Sequence, residues 1–167
     1  MLISDAISAD FQKELETTVK VLEALPADKL GWQPHVKSMT LGQLACHIAE
    51  SPKWCQSMLE DEFDFASAGD WKPFESNDPG EIVAALRQNG KGLTEAIAGR
   101  DDAFMQATWR MKSGDKVLME EPRGAAMRNI AVNHTVHHRG QLTVYLRLLD
   151  VPVPPTFGPT ADFPEFG

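Results

Sequence analysis

Four stretches of the chain carry apolar residues at intervals of three and four positions, which is the spacing of one face of an α-helix. The first stretch spans residues 4–25 and ends before Pro26, and the pattern returns at 40–59, 78–98 and 124–149. A helix with one apolar face buries it against another element. The pattern therefore predicts an all-α fold in which the four helices form a four-helix bundle.

Residues at the predicted helix starts support these boundaries. Thr40 and Gln43 have the spacing of a capping box, in which each side chain bonds the backbone N–H of the other residue. Asp78 and Pro79 are typical of a helix N-cap followed by the first helical position. Gly90, in contrast, weakens the third helix at an interior position.

The segments between and after the helices contain turn-forming residues. Segments 28–39 and 61–77 are interrupted by glycine and proline, which predicts loops. Ser113-Gly114-Asp115 lies between two short extended runs and predicts a short hairpin between helices three and four. The tail 151–167 is rich in proline, so we expect it to lie extended over the bundle. We expect residues 1–167 to form a single domain.

Charge and the first residues of the chain argue against several classes of partner. With 24 acidic against 16 basic residues the formal net charge is −8, so a nucleic acid would meet net repulsion. The chain starts with acidic side chains instead of a basic head and a long apolar run, a pattern typical of neither a secretory signal nor a membrane span. We therefore expect a cytoplasmic protein without a nucleic-acid or membrane partner.

Three histidines fall on the inward faces of two predicted helices. At 100° per residue, His134 and His138 lie in the apolar stripe of the fourth helix, and His47 lies in that of the second. Neutral imidazoles four residues apart project from adjacent turns and reach one metal ion at roughly 2.0 to 2.1 Å. The three histidines together predict a site for one divalent transition metal, with open positions for water or substrate.

A second interpretation of these histidines stays open. A pair four residues apart on a helix is often a coincidence, and a buried histidine is often only a hydrogen-bonded core residue. The placement of all three in inward stripes, with no paired acidic partners, favours a metal site. Metal content distinguishes a metal centre from a polar core network.

Two polar neighbours of the histidines have both a functional and a structural interpretation. Gln141 lies one turn beyond His138 on the predicted inner face, where it positions a ligand or bonds a loop carbonyl. Glu50 follows His47 by three residues at the edge of the stripe. It serves as a base or supports a ligand, or it forms an ordinary helix-surface pair with Lys53.

The remaining candidates are expected to be structural. Arg139 is predicted to face outward as a solvated or salt-bridged residue, with recognition of a carboxylate as its alternative role. His137 is predicted to be partly exposed at the edge of the bundle, with replacement of a ligand or a dimer contact as its alternatives. Cys46 falls away from the inner stripe and is expected to be inert. Cys55 is predicted to be a core residue, with a reactive thiol near the metal as its alternative role.

Two segments carry a resemblance to a known family. Residues 41–50 have the sequence LGQLACHIAE, and residues 134–142 have the sequence HTVHHRGQL. Together they resemble the DinB-like (DinB/YfiT) metal-binding superfamily, and the second segment is the more specific of the two. The resemblance extends over nearly the whole chain, including the loop from Trp32 to Pro34 and the proline-rich tail.

The resemblance implies a fold, a metal and a range of activities. It implies a bundle with up-down-down-up connections, a nickel or zinc ion held by the residues that match His47, His134 and His138, and a homodimer. It also implies a small-molecule substrate and a low-molecular-weight thiol as co-substrate of an S-transferase. The alternatives are a metal-dependent hydrolase and a non-catalytic metal-binding or stress-response scaffold.

Overall fold

The computed structural model describes residues 1–69 and 71–165. Asp70, in the predicted loop 61–77, and Phe166 and Gly167, at the end of the predicted tail, lie outside the described residues. All four predicted helical stretches are confirmed. The described residues form these α-helices in chain order: α1 Ile3–Glu23, α2 Leu41–Trp54, α3 Pro79–Ile97, α4 Asp102–Gln106, α5 Arg123–Arg128 and α6 Thr135–Leu148.

The fourth predicted helix consists of three helical parts. Helices α5 and α6 are joined through a π-helical segment, Asn129–His134, so that the helical path runs on without a loop. A π-helical turn holds more residues than an α-helical turn, and such turns are frequent at functional sites. The segment shifts the angular positions of the residues that follow it.

Helix α2 begins with the predicted capping box and contains an internal proline. Thr40 Oγ1 accepts from the Gln43 backbone N–H at 3.1 Å, and Gln43 Oε1 accepts from the Thr40 N–H at 2.9 Å. Pro52 has no N–H for the carbonyl of Ile48, four residues earlier. The Ser51 hydroxyl donates to that carbonyl at 3.0 Å instead, so the helix continues to Trp54 and then tightens into a 3-10 segment, Cys55–Leu59.

The long helices pack as a bundle. Helix α1 contacts α3 and α6, and α2 contacts the same two helices. Gly90 of α3 lies beneath the Phe11 ring of α1, where a Cβ atom would come within 3.0 Å of Cε1. The glycine that weakens α3 locally therefore allows α1 and α3 to approach closely. The up-down-down-up order of the connections stays a prediction.

A small three-stranded sheet departs from the all-α prediction. The predicted hairpin is present as β2 Thr108–Ser113 and β3 Lys116–Pro122, which pair antiparallel. Gly114 in its turn has φ +58°, a conformation that favours glycine. The unpredicted strand β1, Glu62–Asp64, lies within the segment assigned to a loop and pairs parallel with β2. The described chain is thus mostly helical with a small sheet.

Arg123 joins this sheet to the start of the fourth helical stretch. Its guanidinium is buried, donates to the Phe104 carbonyl at 2.8 Å and pairs with Asp61 Oδ1 at 2.7 Å. The side chain also lies over the Phe104 ring. Arg123 thereby fixes the position of the sheet at one end of the stretch that carries two of the three histidines.

The prediction that Arg139 faces outward is wrong. Its side chain is 1% exposed, forms an ion pair with Glu14 at 2.6 Å and donates to Thr18 Oγ1 at 3.1 Å, both in α1. Helix α6 contacts α1 through one face and α2 through another, so it has two inward faces rather than one. Arg139 lies on the α1 side and the histidines on the α2 side.

The tail is held to α6 by polar contacts. Over its described part, residues 151–165, it forms neither helix nor strand. Asp162 pairs with Arg147 of α6 and accepts from the Val153 N–H. Among the described helices, none is long and apolar enough to cross a membrane.

Candidate metal centre

The structure brings His47, His134 and His138 together through the same ring atom. Nε2 of His47 lies 3.2 Å from Nε2 of His134 and 3.2 Å from Nε2 of His138. The Nε2 atoms of His134 and His138 lie 3.1 Å apart. The three nitrogens form a nearly equilateral triangle between α2 and the fourth helical stretch.

The π-helical segment with α6 on one side and helix α2 on the other position the three rings. His134 ends the π-helical segment and His138 follows four residues later in α6, so their rings lie one above the other on the side facing α2. His47 lies in the middle of α2, and the Trp54 ring packs edge-on against it at a centroid distance of 5.1 Å. All three histidines are half-buried, so the cluster lies at the margin of the core.

A hydrogen-bond network alone does not satisfy these nitrogens. In a neutral imidazole, each ring nitrogen either carries one hydrogen or offers one lone pair. Among three mutually close nitrogens, two must therefore be of the same kind, and at least one of the three contacts sets hydrogen against hydrogen or lone pair against lone pair. The geometry favours a cation that accepts all three lone pairs over a polar core network.

The spacing of the nitrogens fits a divalent transition metal. With bonds of roughly 2.0 to 2.1 Å, tetrahedral angles place ligand nitrogens roughly 3.3 to 3.4 Å apart, and octahedral angles roughly 2.8 to 3.0 Å apart. The measured 3.1 to 3.2 Å lies between these two arrangements. The three histidines fit such an ion and leave coordination positions for a further ligand.

The surroundings keep the three imidazoles neutral, which is the form that binds a metal. Burial, followed by the neighbouring rings His138, His47 and His137, lowers the pKa of His134 to about 4. Burial is also the largest cause of the lowered pKa of His47, and His138 adds to it. The pKa of His138 is lowered by burial as well, while its contact with Gln141 opposes the shift. At neutral pH, lone pairs are therefore available on all three rings.

These shifts predict how the stability of the metal-free protein depends on pH. The unfolded chain protonates His134 near its ordinary value of 6.5, whereas the folded chain does so only near 4. Between these values the unfolded state binds more protons, so stability falls as the pH falls. We expect urea unfolding of metal-free protein to show this loss from about pH 6.5 to 4, and the loss to be smaller in a His134→Asn variant.

The variant comparison removes the contribution of the carboxylates that titrate in the same range. A His35→Ala variant, which changes an exposed loop histidine outside the cluster, serves as the control and should keep the wild-type profile. Identical pH profiles for wild type and His134→Asn would contradict the lowered pKa.

Gln141 contacts the cluster from an exposed position. Its side chain is exposed, against the prediction that it lies on the inner face. Its Oε1 nevertheless lies 2.7 Å from Nδ1 of His138, and its Nε2 lies 3.2 Å from Nε2 of His137. His137 is exposed, as the sequence indicates. Both residues lie around the ring of His138 and outside the triangle of nitrogens.

Trp54 also lines the site, although the sequence analysis assigned it no role there. Its ring packs against those of His47 and His134, the latter at a centroid distance of 5.5 Å. Within the described residues, neither Trp54 Nε1 nor His134 Nδ1 has a hydrogen-bond partner. Position 54 in the stripe of α2, seven residues after His47, was the available signal, because residues seven apart share a helix face.

Other candidates do not belong to the cluster of ligand atoms. The Glu50 carboxylate is buried and accepts from the Phe74 N–H at 3.2 Å, which anchors the segment before α3. The predicted helix-surface pair with Lys53 is therefore wrong, and a role of Glu50 as a base or as support for a ligand stays a prediction. Cys55 is fully buried, and this burial raises the pKa of its thiol to about 12, so it is a core residue rather than a reactive thiol. Cys46 is buried too, and its Sγ lies 3.7 Å from the Ser76 carbonyl oxygen.

A groove of about 790 Å³ adjoins the cluster at His47. One side is formed by α2, including Gln43 and Cys46, and the other by the segment 71–77, including Trp71 and Phe74. The lining combines aromatic rings with amide, hydroxyl and carboxylate groups, as in sites that bind small molecules. A ligand of peptide size has room beside the histidines.

Comparison with known proteins gives one family match. The family model described as "DinB family" matches residues 4–165. A search of curated proteins gave no match.

Three solved structures with the same fold come from two Bacillus species. A DinB-like protein from Bacillus cereus is 22% identical, with a TM-score of 0.70 over 92% of this chain and 97% of that one. A DinB-like protein from Bacillus subtilis, YjoA, is 18% identical, with a TM-score of 0.69 over 91% and 97%. YfiT from Bacillus subtilis, described as a probable metal-dependent hydrolase with an unusual four-helix bundle topology, is 16% identical, with a TM-score of 0.64 over 88% and 87%. At these identities the likeness shows the fold.

Proposed function

The chain belongs to the DinB family, and on that basis we propose that it is a metal-dependent S-transferase that joins a low-molecular-weight thiol to a small electrophile. The observation that carries the proposal is the triangle of Nε2 atoms of His47, His134 and His138, 3.1 to 3.2 Å apart. These three histidines hold the divalent metal, which is nickel or zinc.

The donor set supports an open, catalytic kind of centre. Three neutral protein ligands with a free coordination position are typical of catalytic zinc sites, whereas structural sites are closed by four protein ligands. When bound, the metal lowers the pKa of a coordinated thiol or water, so that the nucleophile is present near neutral pH. The groove at His47 gives the rest of a thiol or its electrophile a place to bind.

The reaction is balanced without a redox partner. A bond forms between the thiol sulfur and the electrophilic carbon, the bond from that carbon to its leaving group breaks, and the thiol proton departs with the leaving group. The histidines would hold the metal through their Nε2 lone pairs, so those atoms are not available to take up that proton.

Hydrolysis is the second candidate function, and the likeness to YfiT favours it. The same open position suits water as nucleophile, and only the bound nucleophile differs between the two reactions. A non-catalytic scaffold that binds a metal is the third. We also propose that the protein is a homodimer with up-down-down-up helix connections, as the family resemblance implies.

The test uses protein loaded with cobalt, which reports its ligands by absorption, and protein loaded with zinc or nickel, which reports activity. Glutathione and cysteine serve as thiol probes, 1-chloro-2,4-dinitrobenzene as the electrophile, and 4-nitrophenyl acetate as the hydrolysis probe. We expect a thiolate-to-cobalt absorption band on thiol addition. We also expect thiol transfer that is lost in a His47→Ala, His138→Ala variant and kept in His35→Ala.

Each other outcome rejects the transferase. An unchanged cobalt spectrum together with metal-dependent ester hydrolysis would replace it by the hydrolase. A protein that binds metal but shows neither reaction would support the scaffold, and transfer that persists in the double histidine variant would place the activity elsewhere.

A further inference from the structure

The side-chain amide of Gln141 bridges two histidines of α6. Its Oε1 lies 2.7 Å from His138 Nδ1, and its Nε2 lies 3.2 Å from His137 Nε2. Both Gln141 and His137 are exposed, so neither is placed by packing in the core. An exposed side chain loses rotamer freedom when it is held in one geometry, and no core contact compensates that loss here.

The chemistry of the two contacts fixes the direction of every hydrogen bond. An amide oxygen only accepts, so His138 Nδ1 must carry the hydrogen. Its Nε2 is then left with a lone pair, and this is the atom that faces His47 and His134. The amide N–H₂ only donates, so Nε2 of His137 is the acceptor. With the amide inverted, His138 Nδ1 would accept and its Nε2 would carry the hydrogen, so the observed orientation is the one that leaves the Nε2 lone pair free. The contact with His137 Nε2 adds a second hydrogen bond to the amide in this orientation.

We infer that Gln141 is a positioning residue that holds His138 in the tautomer whose Nε2 lone pair binds the metal, and that His137 orients the Gln141 amide. The inference rests on the proposed metal site and assigns a role to two exposed residues of the fourth helical stretch. Outer partners of this kind orient metal-bound histidines and raise their basicity. His134 differs, because its Nδ1 has no partner within the described residues.

The first experiment observes the tautomer directly in zinc-free protein. Long-range ¹H–¹⁵N spectra at pH 8 distinguish a ring protonated at Nδ1 from one protonated at Nε2. We expect His138 to carry its hydrogen on Nδ1 in wild type and in Gln141→Glu, whose carboxylate also accepts. In Gln141→Met, which lacks an acceptor, we expect the Nε2–H form to appear. A purely structural role for Gln141 would not move this signal.

The second experiment measures zinc affinity by competition with a chelator. We expect Gln141→Met to weaken binding roughly 10- to 100-fold, His137→Ala to weaken it less, and Gln141→Glu to keep it near or above the wild-type value. Gln88→Met, the same change at an exposed position of α3 outside the cluster, should leave affinity unchanged. Circular dichroism checks that each variant is folded.

The outcomes separate this inference from the proposed function. Wild-type protein that takes up no zinc rejects the metal site itself. Wild-type protein that binds zinc, with Gln141→Met equal to it in affinity or in His138 tautomer, overturns the role of Gln141 and leaves the metal site in place.

Discussion

Replacing His134 by alanine is expected to lower zinc affinity by roughly 1,000-fold or more, beyond the 10- to 100-fold typical of losing an outer partner. The variant keeps two of three ligand nitrogens and leaves one more coordination position to solvent. Its metal-free form should differ from wild type by less than about 1 kcal/mol in unfolding free energy, because the ring is half-buried and its removal relieves the crowded nitrogen triangle. Zinc titration and urea unfolding measure the two quantities.

The same variant distinguishes a metal site from a polar core network. In a polar core network, removal of one ring leaves its partners unpaired and destabilises the metal-free protein. Added zinc would then have little effect on the stability of wild type or of the variant. His35→Ala is the matched control, since it changes an exposed histidine outside the cluster. A His134→Ala variant that binds zinc as tightly as wild type would reject the assignment of this ligand.

Replacing Arg139 by methionine is expected to destabilise the protein by roughly 3 kcal/mol. The guanidinium is 1% exposed and its partner Glu14 is 15% exposed, so the variant leaves a carboxylate in a largely buried position without its counter-ion. Thr18 Oγ1 also loses the N–H that donates to it. Urea unfolding of the metal-free protein measures the change without a contribution from bound metal.

A double-mutant cycle shows whether the effect belongs to the pair. The Arg139→Met, Glu14→Gln double variant should lose less stability than the sum of the two single variants, with a coupling of about 1 to 3 kcal/mol. Arg147→Met removes an exposed ion pair with Asp162 from the same helix and should cost less than about 1 kcal/mol. An Arg139→Met variant as stable as Arg147→Met would contradict the account of the buried pair.

The sequence predicted the helices because their signals are local. The three-and-four spacing of apolar residues and the caps at Thr40 and Asp78 act over a few positions, and each predicted boundary lies within five residues of the helical stretch that the structure contains. The five-residue helix α4 was missed, although Asp101 gives an N-cap signal and does accept from the Phe104 N–H. Strand β1 has three residues, which are too few to show a period.

The errors at Arg139 and Gln141 have a common cause. An apolar stripe drawn at 100° per residue assumes that the helix is a regular α-helix with a single inward face. Helix α6 instead packs on two neighbouring helices and follows a π-helical segment. The partner of Arg139, Glu14, lies 125 residues away in the chain, and no local pattern indicates it. Arginine side chains are mostly exposed in proteins, so the general preference of the residue also predicted that Arg139 faces solvent.

In the candidate site, too, some features were predictable from the sequence and others were not. The convergence of His47, His134 and His138 follows from two helical stripes and was predictable. The anchoring of the Phe74 segment by Glu50 and the contact of Trp54 with two rings depend on tertiary packing, which helix periodicity does not describe. The amide bridge of Gln141 depends on how two imidazole rings are oriented, and the sequence does not indicate that orientation.

The central claim is that these histidines bind one metal ion in the protein as a cell makes it. Elemental analysis of protein expressed without a histidine tag and purified without a metal column tests it most directly, with the His134→Ala, His138→Ala variant analysed in parallel. The account predicts about one equivalent of a divalent transition metal in wild type and a loss of that metal in the variant. Folded wild-type protein that contains no metal and takes up neither added zinc nor added nickel would contradict it.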